Sequence, residues 1–123
     1  MKQIATNNAP AAIGPYSQAI EANGFVYCSG QLPIDPVTGT MPVDIKEQTR
    51  QSLLNVQAIL REAGLDLCNV VKTTVLLSDI SYFGSMNEVY AELFSAPFPA
   101  RSAFAVRDLP KGAFVEIEVI AAR

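Results

Sequence analysis

Val70-Val71-Lys72-Thr73-Thr74-Val75-Leu76-Leu77-Ser78 decides the fold, because this β-branched, apolar run lies between two stretches of helical periodicity. It reads as a central strand. On its N-terminal side Asp44 opens a helix, with Asp44 and Glu47 forming a capping-box-like start. Ile45, Leu53, Val56, Ile59, Leu60 and Ala63 recur at helical spacing, and Gly64 supplies the stop. On its C-terminal side a second helix runs from about Ser81 to Ser95. Phe83, Met86, Val89, Tyr90, Leu93 and Phe94 form its wide apolar stripe, and Pro97 ends it.

Farther out the pattern turns extended. Residues 1 to 6 read as a short edge strand, followed by the polar segment Asn7-Asn8-Ala9-Pro10. Ser17 to Glu21 and Phe25 to Ser29 are joined through Ala22-Asn23-Gly24, and Asn-Gly between extended runs is a strong hairpin signal. Gln31 to Ile34 extends the sheet before the turn-rich Asp35-Pro36-Val37-Thr38-Gly39. Arg101 to Val106 and Ala113 to Ala121 are the last strands, expected to pair as a hairpin about Leu109-Pro110-Lys111-Gly112. The order β-β-α-β-α-β-β predicts a single α+β domain over residues 1–123, a mixed β-sheet with two helices packed on one face. The other face must also be covered.

Composition points the same way. Of 123 residues 50% are apolar and 17% charged, a surplus of apolar surface that predicts a homo-oligomer. The net charge of −3 and the scattered Lys and Arg argue against a nucleic-acid surface, since such a surface needs clustered cations to displace phosphate counterions. No apolar run approaches the ~20 residues of a membrane span and the start Met1-Lys2-Gln3-Ile4 does not resemble a signal peptide, so a soluble, cytoplasmic protein is expected. Cys28 and Cys68 are then expected as free, reduced and mostly buried thiols. The chain has no histidine, which removes Ser-His and Cys-His pairs together with the ordinary zinc sites. Chemistry must come from Arg, Glu, Tyr, backbone groups and water, and no cofactor is called for.

The chemical candidates sit in the last two strands. Phe98-Pro99-Ala100-Arg101-Ser102-Ala103-Phe104 sets one arginine in a run that otherwise reads as buried strand, and Val115-Glu116-Ile117-Glu118-Val119-Ile120 carries two carboxylates. Strand alternation groups Arg101 with Ala103 and Ala105, and Glu116 with Glu118. A hairpin would bring Arg101 and the glutamates to one side of the sheet, with Glu118 slightly nearer by register. Two readings follow: an internal Arg-Glu ion pair, or a guanidinium reserved for a small carboxylate, whose two oxygens match its parallel donors. Tyr16, in Gly14-Pro15-Tyr16-Ser17-Gln18, either aims its hydroxyl at a ligand or packs at the edge of an ordinary turn. Gly30, in Ser29-Gly30-Gln31, permits close backbone approach. Asn87 on the second helix reaches a ligand, caps a loop or faces solvent.

Several segments together resemble one family. They are Asn8-Ala9-Pro10, Ala12-Ile13-Gly14-Pro15-Tyr16-Ser17-Gln18-Ala19, Ser29-Gly30-Gln31, Gln51-Ser52-Leu53-Leu54-Asn55-Val56, Val71-Lys72-Thr73-Thr74-Val75, Asn87-Glu88-Val89-Tyr90, Pro99-Ala100-Arg101-Ser102 and Val115-Glu116-Ile117-Glu118. In this order and spacing the chain resembles the RidA (YjgF) family of reactive-intermediate deaminases, formerly described as endoribonuclease L-PSP or translation-inhibitor proteins. The resemblance implies a chorismate-mutase-like α+β fold assembled as a homotrimer, with sites at subunit interfaces. It implies hydrolysis of 2-imino acids to 2-keto acids and ammonia without a cofactor, small 2-imino and 2-keto carboxylates being the ligands. Arg101 matches the position that holds the substrate carboxylate. Tyr16, Gly30, Asn87 and Glu116 match other pocket positions, so the resemblance selects Glu116 over Glu118. The main chain at Ala103 would face the ligand, where many members of the family's active branch have cysteine, and the Ser95-Ala96-Pro97-Phe98 connection is short. The rival reading is a non-catalytic small-carboxylate sensor, and a ribonuclease fits the acidic charge poorly.

Overall fold

The computed structural model describes all residues, Met1–Arg123. Six strands and two helices follow one another as β1 (Lys2–Ile4), β2 (Ala19–Ala22), β3 (Phe25–Gln31), α1 (Ile45–Glu62), β4 (Val70–Leu77), α2 (Phe83–Leu93), β5 (Ala100–Ala105) and β6 (Val115–Ala122). The strands form one mixed sheet in the order β1-β2-β3-β6-β4-β5.

Local chemistry sets the boundaries. The Asp44 carboxylate accepts from the backbone N–H groups of Lys46 and Glu47 at 2.8 and 3.1 Å, satisfying two of the donors that the start of α1 leaves free. At the other end Gly64 adopts φ +77°, and the N–H groups of Leu65 and Gly64 return to the carbonyls of Leu60 and Arg61. This is the paired bonding of a Schellman motif, and glycine is the residue that reaches it without strain. The β2–β3 hairpin turns through Asn23 (φ 53°) and Gly24 (φ 81°) as the dipeptide predicts.

Both helices cover one face of the sheet. Leu53, Val56, Ile59 and Leu60 of α1 and Met86 of α2 are fully buried against Val26, Val75, Leu77, Val115 and Ile117, each large aliphatic contributing about 1.5–3 kcal/mol of burial. The opposite face carries Ile20, Tyr27, Leu76, Phe104 and Ile120 together with Lys72, Thr74 and Glu118, and nothing in the chain covers it. Tyr27 and Phe104 are each 47% exposed there.

Three expectations need correction. Strand β3 ends at Gln31, so residues 32–34 leave the sheet and do not extend it. The second helix proper is shorter, Phe83–Leu93, with a 3₁₀ turn at Ile80–Tyr82 before it. The largest difference concerns the last two strands, which do not pair. Strand β5 runs parallel to β4, with Arg101 opposite Thr73, while β6 lies antiparallel between β3 and β4. Burial explains the exchange. Val115, Ile117, Val119 and Ala121 are all at most 2% exposed, which demands a central position, whereas β5 has no buried residue and suits an edge. Pro110–Gly112 therefore forms a 3₁₀ turn in a connection that steps over β4, and not a hairpin tip.

Candidate active site

The register of β6 divides the predicted residues into two groups. Glu116 alternates with Val115 and Ile117, which point into the core, so its side chain emerges on the face away from the helices. Arg101 is in register with fully buried Thr73 and points to the helix side. Within one chain Arg101 and the two glutamates stand on opposite faces of the sheet, contrary to the hairpin expectation.

On the helix side Arg101 is half-buried under α2. Its Nη1 donates to Asn87 Oδ1 at 2.6 Å, and its guanidinium carbon lies over the rings of Tyr90 and Phe83, 4.8 and 5.4 Å from their centroids. No carboxylate pairs with it, since the ion pairs of the chain are Lys46–Glu88, Arg50–Glu47, Arg50–Glu92, Arg61–Asp66, Arg107–Asp108 and Arg123–Glu21. That disposes of the internal Arg-Glu ion pair. Asn87 does not face open solvent but holds the arginine. Ala103 lies two residues along the same face, in register with Val75, and β5 as an edge strand leaves one row of main-chain groups unpaired.

On the other side a cleft of about 910 Å³ opens among Pro10, Tyr16, Gly30, Leu32, Lys111 and Glu116. The sheet is irregular at its floor, because the β3–β6 register shifts between Cys28 and Gln31. Gly30 sits in that irregularity against Glu116, and a Cβ there would stand 2.9 Å from Glu116 Cδ. The absence of a side chain is what lets the carboxylate lie against the strand. Burial holds the Glu116 carboxyl above the usual glutamate range, and the neighbouring charge of Glu118 adds to the rise. Tyr16 is 52% exposed at the rim, its hydroxyl accepting weakly from Ile13 N–H at 3.4 Å.

Buried amides that sequence reading missed fix the cleft walls. Gln18, 4% exposed, accepts from Thr6 N–H and donates to the carbonyls of Thr6 and Pro10, tying the N-terminal segment to β2. Asn55 of α1 donates to the carbonyls of Leu32 and Ile34 at 3.0 and 2.9 Å. These loop carbonyls would otherwise go unsatisfied on burial. The sequence does carry one overlooked signal on the arginine side: Phe83, Asn87 and Tyr90 fall at i, i+4 and i+7, a single helix face.

Neither cysteine enters the cleft. Burial, with the Glu118 charge, pushes the Cys28 thiol up to about 12, whereas Cys68, contrary to the expected burial, is exposed beside Asn69 in the turn that precedes β4. No group of three or more Cys, Asp or Glu side chains is arranged to hold a metal ion. No helix is long and apolar enough to cross a membrane.

A family model described as Endoribonuclease L-PSP matches residues 6–123. The chain belongs to this family. Within the L-PSP family it is 52% identical to the 2-iminobutanoate/2-iminopropanoate deaminase of Bos taurus, the alignment covering 98% of this chain and 88% of that one. Its backbone superposes on the YjgF gene product of E. coli with a TM-score of 0.97, 48% identity and coverage of 100% and 99% of the two chains. The E. coli protein TdcF, solved with bound serine, gives the same TM-score at 44% identity, again over 100% and 99%. The family and the chorismate-mutase-like α+β fold read from the motifs are therefore both borne out.

Proposed function

We propose that this L-PSP family member is a 2-imino acid deaminase, hydrolysing 2-iminobutanoate and 2-iminopropanoate to the 2-keto acids and ammonia at sites shared between subunits. The observation that carries the shared site is the separation of Arg101 from Glu116 by the sheet, each without an ionic partner of its own. In a homotrimer that covers the open sheet face, the exposed edge strand β5 would carry Arg101 of one subunit to the cleft of the next. The names and similarity of the relatives support the reaction, and serine in TdcF supports a ligand bearing a carboxylate.

In this scheme the guanidinium of Arg101 binds the substrate carboxylate through two parallel N–H donors, and that fixes the imine carbon over Glu116. As the water oxygen bonds to the carbon of the protonated imine, Glu116 takes a proton from that water and the C=N π electrons pass to the nitrogen. The resulting carbinolamine collapses when Glu116 passes its proton to that nitrogen. The C–N bond breaks, ammonia leaves, the hydroxyl proton passes to water and the carbonyl forms. A carboxyl whose affinity for protons is raised by burial suits both transfers near neutral pH. Tyr16 steers the imine at the rim, Gly30 admits the substrate close to the strand, Asn87 acts through Arg101, and main-chain groups at Ala103 face the ligand. Two unpaired cysteines suit a reducing compartment such as the cytoplasm.

The charge pattern disfavours a nuclease. Of the nine Lys and Arg residues, Lys46, Arg50, Arg61, Arg107 and Arg123 pair with carboxylates, which leaves Lys2, Lys72, Arg101 and Lys111, one on each of four separate segments, against the clustered cations that displacing phosphate counterions needs. The test of the deaminase reading is keto-acid release while a dehydratase generates 2-aminoacrylate from serine, with the wild-type protein and its Arg101→Ala and Glu116→Gln variants. Acceleration by the wild type alone is expected. Saturable carboxylate binding without acceleration would instead identify a ligand sensor.

A further inference from the structure

The Arg101 side chain is held by more than its strand. Asn87 engages Nη1 and leaves the edge formed by Nε and Nη2 with its donors free, the geometry that a carboxylate meets with two bonds. The plane of the guanidinium is set by Tyr90, over whose ring it lies at 4.8 Å. Tyr90 is itself immobilised. It is 5% exposed, its ring packs 4.5 Å from that of Phe94, and its hydroxyl shares a 2.8 Å hydrogen bond with Thr73 Oγ1. Thr73 is fully buried and stands directly opposite Arg101 in the β4–β5 ladder. Strand pair, hydroxyl bond and ring contact thus close a loop that begins and ends at Arg101.

We propose that Tyr90, locked by Thr73, is a positioning residue that fixes the guanidinium plane of Arg101 and turns its free edge toward the ligand carboxylate. This rests on the reading of Arg101 as the carboxylate anchor. Burial holds the Tyr90 phenol above its ordinary range, against the opposing effects of the Thr73 bond and the Arg101 charge. The ring therefore stays neutral, with an electron-rich face that attracts the cation. A planar guanidinium benefits from such a platform in a way that a lysine ammonium does not. Because the carboxylate takes no part in bond breaking, the effect falls on substrate binding equally in ground and transition states, hence on KM and not on kcat.

The test measures the affinity of the folded oligomer for pyruvate by titration calorimetry, with KM and kcat for imine hydrolysis, in wild type, Tyr90→Leu, Tyr90→Phe, Thr73→Val and Arg101→Ala. Tyr90→Leu is expected to weaken pyruvate binding and raise KM by about tenfold, the scale of a partly desolvated cation–π contact, with kcat within about twofold of wild type. Tyr90→Phe and Thr73→Val keep a ring but lose the lock, and each is expected to weaken binding by about threefold, less than a full hydrogen bond. In an Arg101→Lys background these losses should shrink, which a purely structural role for the tyrosine would not produce. Wild-type affinity in both Tyr90→Phe and Thr73→Val beside a lost affinity in Arg101→Ala overturns the positioning role alone, even where Tyr90→Leu fails to fold. Wild-type affinity in Arg101→Ala, or none in the wild type, overturns the anchor and the proposal with it.

Discussion

Arg101 and Glu116 lie on opposite faces of one sheet, the first in register with buried Thr73 and the second with half-buried Leu76. No side-chain rotation brings them together, because strand alternation assigns each to its face. A reaction that uses both must recruit one of them from another copy.

That requirement predicts complementation. Under the proposed homotrimer with shared sites, Arg101→Ala and Glu116→Gln should each be inactive alone, yet trimers assembled from equal amounts of the two chains should recover activity. With random assembly in a cyclic trimer about one quarter of the sites would hold both native residues. Activity of co-refolded or co-expressed mixtures, plotted against mixing ratio, checks this. A mixture as inactive as its parents would mean that the two residues do not share a site.

Gly30 is predicted to be essential to the reaction and dispensable for the fold. In Gly30→Ala the new Cβ would stand 2.9 Å from Glu116 Cδ, and the outer end of a flexible side chain is what must move. The thermal midpoint should therefore fall only slightly. Displacing the carboxylate by even 1 Å should cost on the order of 100-fold in kcat/KM. Comparing melting curves with rates separates the two effects.

Ser52 gives a prediction about stability alone. Its hydroxyl oxygen is fully buried in α1 and is the one buried side-chain N or O without a hydrogen-bond partner. A buried polar group left unsatisfied is a net cost, and alanine has the higher helix propensity. Ser52→Ala should raise the free energy of unfolding by about 1 kcal/mol in denaturant titrations, with activity unchanged.

The parts of the fold that were legible in the sequence are those fixed by local chemistry. Asp44 and Gly64 bound α1, Asn23-Gly24 turns the hairpin, and the β-branched run at Val70 marks an interior strand. The pairing of β5 and β6 was not legible. Both are extended and joined by a turn-like segment, and only the sheet-wide competition for burial decides that β6 lies between β3 and β4. The proposed site suffered accordingly: the motifs single out Arg101, Tyr16, Gly30 and Glu116 as candidates, but their distribution over two faces depends on that register. Gln18 and Asn55 were missed because a buried amide that ties down loop carbonyls has no spacing pattern of its own.

The pH dependence of the reaction should report the environment of Glu116. Its carboxyl is held above the ordinary glutamate range, chiefly by burial and secondarily by the charge of Glu118. In the proposed mechanism the carboxylate form accepts the proton from water, so kcat/KM should fall as pH drops through this raised value. Glu118→Gln removes the nearby negative charge, which lessens the penalty for ionising Glu116 and lowers its pKa. The acid limb of the profile should then move to lower pH. The movement should be partial, because the larger cause is burial and this remains. Glu118 is itself exposed, so the substitution leaves the fold intact, and the displacement can be read directly from rate profiles of the two proteins. A limb that stays in place would assign the titration to a group other than Glu116. A shift to higher pH would contradict the like-charge coupling of these two carboxylates on one face of β6.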